Sequence, residues 1–215
     1  MGKIDSFYQK YKISISAYLG SSIAWSSIII AIILFIIGNP SFNFFSYFVS
    51  HLGTIVGSNY SFIAFSLGMI TVSFILPLFY NNLTEFLIEN TKSNAARMFS
   101  QISFYFGVLA SIGVFIIAIF PMDLFEFFHD IGSFLYFSGG AISMLIYSTV
   151  ELFIKKVSKF FPIYGYIVSI FYIGYPLFSL INPLLLPVSL IFEWLMLFSF
   201  IIWVPLHGYL MQKLS

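Results

Sequence analysis

The sequence predicts an all-α fold, a polytopic membrane bundle of six transmembrane helices with both termini cytoplasmic. Three observations predict it. Of 215 residues, 60% are hydrophobic and only 8% charged, and the mean hydropathy is +1.00. A chain of that composition cannot cover itself with a water-facing surface, which excludes a soluble domain. Next, a bilayer core of about 30 Å needs about 20 apolar residues at about 1.5 Å each, and six stretches are that long. Finally, all nine Lys and Arg residues fall in four short polar stretches that six crossings bring to one side.

Span one covers about 14 to 37, where Ser16, Gly20 and Ala24 recur every four positions. The basic residues before it suggest a signal peptide, but the run is too long and lacks a small-residue cleavage pattern, so it reads as a retained span. Spans two and three cover about 59 to 83 and 97 to 120, with Gly107 and Ser111 on one face of the latter. Spans four, five and six cover about 130 to 151, 161 to 181 and 188 to 212, with Gly139 and Ser143 paired in span four. In lipid, helices associate by close packing rather than by hiding apolar surface, and small residues at this spacing permit it. The spans use most of the chain, so residues 1–215 read as one transmembrane domain, built as a bundle.

Lys3, Lys10 and Lys12 precede span one, Lys92 and Arg97 separate spans two and three, Lys155, Lys156 and Lys159 follow span four, and Lys213 follows span six. By the positive-inside rule these segments face the cytoplasm, and the loops near 38 to 58, 121 to 129 and 182 to 187 lie outside. The expectation is a multi-pass protein of the cell membrane. Topology accounts for the basic residues, so the net charge of +1 gives no reason to expect nucleic acid as a partner. The absence of cysteine excludes disulfides, thiolate metal sites and cysteine catalysis.

One internal match stands out. SFIAFSLGMI at 61 to 70 and SFLYFSGGAI at 133 to 142 share Ser, Phe, Phe, Ser, Gly and Ile in register, and each follows a histidine, His51 or His129. A parallel repeat of spans two and four is one reading, with a pseudo-symmetry axis along the membrane normal. Convergent use of Phe and small residues in a Phe-rich chain is the other.

The expected outer face gathers His51, Asp123, Glu126, His129, Asp130 and Glu193 with no Lys or Arg among them. If PMDLFEFF forms a short interfacial helix, Asp123, Glu126 and Asp130 share one face of it. Three readings compete. In the first, Asp130 near the start of span four and Glu193 in the first turn of span six are helix caps. In the second, His51, Asp123 and His129 hold zinc or another divalent metal, and Glu193 serves as general base in hydrolysis of a lipid ester or amide. No HExxH or other compact ligand spacing supports that reading. In the third, His51, Asp123, His129, Asp130 and Glu193 recognise a lipid headgroup or a partner. His207, about 21 Å further along span six than Glu193, cannot join this cluster and suits a structural role, hydrogen-bonding inside the bundle or meeting the interface. Glu85 and Glu89 can pair with Lys92, Glu151 is near Lys155, and all read as solvated charges at helix ends.

The segments NPSFNFFSYFVSHLG, FPMDLFEFFHDIGSFLYFSGGAISMLIYS and EWLMLFSFIIWVPLHGYL resemble the DUF998 family of six-span prokaryotic membrane proteins. The matching positions are Ser50, Gly53, Phe120, Pro121, Asp123 and His129, with a looser match around Glu193, Trp203 and Gly208. That resemblance implies a membrane fold, not a reaction. A more distant similarity in loop and histidine placement, to the Frag1, DRAM and Sfk1 group, implies a lipid-associated role. The leading expectation is a non-enzymatic lipid-associated, regulatory or assembly protein with membrane lipids as partners, as an accessory subunit or a homo-oligomer. A metal-dependent membrane hydrolase is the alternative, and a small transporter the third class.

Overall fold

The computed structural model describes residues 3–56, 58–181 and 185–214. Six helices account for most of them: α1 (Lys3–Gly38), α2 (Asn59–Asn90), α3 (Asn94–Ile119), α4 (Glu126–Leu152), α5 (Phe160–Ile181) and α6 (Leu186–Leu214). A short 3-10 turn, Val49–Gly53, interrupts the connection between α1 and α2. Among the described residues there is no strand, and each of the six helices contains a stretch long and apolar enough to cross a membrane. The chain is an integral membrane protein by that measure, as its composition predicts. The third predicted loop lies partly outside the described residues.

Local chemistry sets several helix ends. Ser58 and Ser93 stand immediately before α2 and α3, and their hydroxyls accept the amides of Ser61 and Ala96, each at 3.3 Å. Each thereby satisfies one of the amides that a helix start leaves without a partner. Pro77, Pro176 and Pro205 lie inside α2, α5 and α6 without ending them. Neighbouring helices and side chains make such interruptions tolerable in a bilayer.

Each helix packs against its neighbours in the chain, and α6 closes onto α1, so the bundle is a ring. The connections after α2, α3 and α4 are short, which makes neighbouring helices antiparallel. An even number of alternating helices leaves both termini at one end, called here the terminal end; the other is the Val49 end. A six-membered ring leaves space along its axis, and bulky aromatic residues fill it. Tyr80, Tyr147, Tyr172 and Trp203 are all fully buried, with Tyr147 stacked on Tyr80 and tilted against Trp203. The outer surface is apolar instead: Ile33, Phe74, Tyr105, Phe134 and Ile170 are all exposed.

The α3–α4 contact is the closest in the ring. A Cβ on Gly113 would lie 2.5 Å from the Tyr136 amide nitrogen, and one on Gly139 would lie 2.8 Å from the amide nitrogen of Ala110. Further along the same pair, Ser103 Oγ donates to the Ser143 carbonyl at 2.8 Å, and Ser143 Oγ donates to the Ser103 carbonyl at 3.0 Å. Gly139 and Ser143 are the small pair read from the sequence of span four. Gly107, expected to serve the same kind of contact, accommodates the Tyr80 ring of α2.

Candidate functional site

The Val49 end is closed by residues 39–56, an irregular segment whose backbone amides would be costly to bury without partners. Partners come from far along the chain. Glu193 Oε2 accepts the Val49 amide at 3.0 Å, and Asp123 Oδ2 accepts the Val56 amide at 2.8 Å. Trp194 Nε1 donates to the Tyr47 carbonyl at 2.9 Å, and Ser61 Oγ donates to the Leu52 carbonyl at 2.6 Å. Leu52 is fully buried beneath this cap. Gly53 lies so close to the Phe65 ring that a Cβ there would sit 2.8 Å from it.

Two corrections to the expected capping follow. Glu193 does cap, but not its own helix: it lies past the first turn of α6 and satisfies the amide that opens the Val49–Gly53 turn. Asp123, Glu126 and Asp130 do not share a separate interfacial helix. Residues 121–125 form a turn, Glu126 opens α4, and Asp130 is an exposed residue of that helix. The Pro121 carbonyl accepts the amides of Leu124 and Phe125, which winds the turn directly into α4.

The two histidines of this end adopt opposite tautomers in their neutral forms. His51 Nδ1 accepts the Phe48 amide at 2.8 Å, so its proton sits on Nε2, and the ring stacks on Phe48. His129 Nδ1 lies 2.9 Å from the Phe120 carbonyl, which can only accept, so Nδ1 carries the proton and Nε2 keeps its lone pair. His129 is buried, and His51, Asp123 and Asp130 lie within electrostatic reach of it. The expected ligand set of His51, Asp123 and His129 does not assemble: among the described residues no three His, Asp or Glu side chains form a metal-holding group. The reason is local, since His51 Nδ1 and the Asp123 carboxylate are each engaged with a backbone amide of the cap.

Burial, foremost, and the nearby His129 hold the His51 imidazole below its ordinary value of 6.5. The native state therefore binds fewer protons than the unfolded chain just below that pH. The stability contributed by the neutral ring is full above about 6.5 and falls as the pH drops from there toward the folded value. Thermal unfolding in mild detergent should show a midpoint that declines on acidification, and His51→Asn, which keeps an acceptor for the Phe48 amide, should flatten that decline. A variant that declines in parallel with the parent would remove His51 as the cause.

Beneath the cap lies a recess with about 50 Å³ of open space. Ser50, His129, Ser133, Tyr136 and Glu193 are its polar lining residues, and Phe65, Met69, Val114 and Leu197 are among its apolar ones. Of the expected site residues it unites His129 and Glu193. Asp123 and His51 hold the cap above it, and Asp130 points to the exposed surface of α4. Ser133 and Tyr136 were not singled out by sequence, although Ser133 opens one of the two matched segments, and Ser50 entered only as a position of the family resemblance.

The opposite end holds an arrangement that sequence reading missed. Glu151, expected as a solvated charge beside Lys155, is buried and lies 2.8 Å from His207 Nε2. The expected hydrogen bond for His207 inside the bundle is thus present, with an unforeseen partner. Glu85 accepts from Asn81 at 2.9 Å rather than pairing with Lys92, and Glu151–His207 is the only ion-pair contact among the described residues. A signal existed: each residue is isolated in an apolar run, and both fall near the terminal end once six alternating spans are drawn. No family model, curated protein or solved structure matches this chain.

Proposed function

We propose that this protein is a non-enzymatic, lipid-associated protein of the cell membrane whose Val49 end faces outward and recognises a lipid headgroup. The observation that carries the reading is the recess itself, whose lining combines a buried carboxyl group, an imidazole and hydroxyls with apolar side chains. About 50 Å³ is far below the roughly 300 Å³ of ordinary small-molecule pockets, so it suits the tip of a headgroup and leaves acyl chains on the apolar outer surface. Glu193 Oε2, which accepts the Val49 amide, and the bare Nε2 of neutral His129 are acceptors, and the chain has no Lys or Arg in the segments near this end. That chemistry favours a headgroup that donates hydrogen bonds, an amine or a polyol, over a phosphate monoester. The resemblance to the DUF998 family and the clustering of basic residues in the terminal-end segments support the membrane role and the orientation.

Hydrolysis is the weaker reading, because the expected ligands His51, Asp123 and His129 form no metal-holding group among the described residues. Native mass spectrometry of protein released gently from the membrane tests the proposal. Wild type should retain lipid, Ser133→Leu should lose most of it by filling the recess, and Ser26→Leu on the outer surface should retain it. Equal lipid retention in all three would sink the recess as the binding site.

A further inference from the structure

Near the terminal end, two ionisable side chains are sealed inside the ring. Glu151 on α4 is 1% exposed and His207 on α6 is 0% exposed, with Oε1 and Nε2 2.8 Å apart. His207 Nδ1 lies 2.9 Å from the Trp203 carbonyl. A carbonyl oxygen can only accept, so Nδ1 holds a proton. In a neutral ring of that tautomer Nε2 has a lone pair, and it would face a carboxylate oxygen, acceptor against acceptor. Two arrangements relieve the conflict. Either Glu151 is a carboxylic acid donating its O–H to Nε2, or the ring is an imidazolium donating to a carboxylate. Both contain the same protons, one on Nδ1 and one between Nε2 and Oε1, and both are neutral as a pair.

We infer that Glu151 and His207 form a proton-binding site inside the bundle, occupied by one exchangeable proton drawn from the terminal end. A second observation points the same way. Glu151 Oε2 is buried and has no hydrogen-bond partner. An isolated carboxylate in an apolar interior is far more costly than a carboxylic acid, so the surroundings favour the proton-loaded pair. Glu151 stands one residue before the end of α4, which keeps the route to water short.

The neighbouring groups leave the shared proton to this pair. On α4, the ionisable neighbour is Tyr147, whose hydroxyl is tied to Thr84 Oγ1 at 2.8 Å and to the Tyr80 carbonyl of α2 at 3.2 Å. On α5 the Phe161 ring meets His207 edge-on, and on α6 the Trp203 ring lies 4.0 Å from it. Toward α1, Gly208 faces Ala17. Among the described residues no Lys or Arg forms an ion pair with Glu151. The site lies at the opposite end from the recess and is independent of lipid recognition.

The uptake step is a simple protonation. A proton from water at the terminal end adds to the Glu151 carboxylate facing neutral His207, its hydrogen bond to Nε2 forms, and release reverses both. Without that proton, a ring that keeps Nδ1 protonated sets two acceptors 2.8 Å apart, between α4 and α6. Glu151→Gln carries a permanent N–H donor toward Nε2 and should keep the thermal midpoint in detergent close to that of wild type. Nitrogen-15 NMR of histidine-labelled wild type, which needs no variant, should show His207 Nδ1 protonated at neutral pH and Nε2 either protonated or accepting a strong hydrogen bond. A His207 ring with bare Nδ1 and a proton on Nε2 alone would overturn the inference.

Discussion

His207→Ala should cost about 3–5 kcal/mol of stability, the usual consequence of removing one member of a buried ionic pair. Glu151 is then left with both carboxyl oxygens unpartnered, since Oε2 has no hydrogen bond even in the intact protein. The cavity left under Trp203, whose ring lies 4.0 Å from the imidazole, adds to the loss. For a chain of this size the expected fall in thermal midpoint is on the order of 10 °C, with about 2–4 °C per kcal/mol. Replacing both residues, Glu151→Met with His207→Leu, should recover most of it, because an apolar pair of similar volume carries no desolvation penalty. A single alanine variant within about 1 kcal/mol of wild type would mean that water reaches the carboxylate.

The second large effect concerns α3 and α4. Gly113→Ala places a methyl group 2.5 Å from the Tyr136 amide nitrogen and 2.6 Å from the Gly132 carbonyl oxygen. Both are backbone atoms of a helix, so neither can rotate away as a side chain would, and the two helices must separate. Overpacking costs about 1–3 kcal/mol and at times more, and a backbone clash belongs at the upper end. Separation also pulls apart the reciprocal Ser103–Ser143 hydrogen bonds further along the pair. Gly20→Ala provides the contrast: its methyl group would meet Ile75 Cγ2 at 3.2 Å, a side-chain tip that can shift, so the change should be close to neutral. Midpoints measured side by side in one detergent decide the matter, and equal midpoints for the two variants would refute the close contact of α3 and α4.

The six spans were legible because lipid imposes one simple demand, an apolar run of sufficient length, and nothing in 14 to 37 or 97 to 120 competes with it. The small residues at Gly139 and Ser143 were legible for a similar reason, as spacing alone puts them on one helix face. Partner identity was not. Gly107 sits at the same spacing in α3, yet it faces a tyrosine ring on α2. The acidic residues illustrate the limit best. Glu193 was expected to cap α6, because local dipole arguments look only at the helix that carries the residue, whereas its amide partner lies 144 positions away. Glu151 was read as solvated because Lys155 is four residues on, but α4 ends between them and the helix face on which Glu151 lies turns into the ring. Sequence proximity gave the wrong partner at both ends of the bundle.

The cap at the Val49 end has a consequence for how the protein is made. Its segment is synthesised immediately after α1, but Glu193 and Trp194, two of the side chains that secure it, belong to the last helix. Until α6 is made, the Val49 amide and the Tyr47 carbonyl lack these partners, and the ring stays open along the seam where α6 will meet α1. Insertion of the final span is thus the event that seals both the wall and the roof. A ribosome stalled before α6 should display a chain whose first loop is readily cut by protease, and completing that helix should protect it.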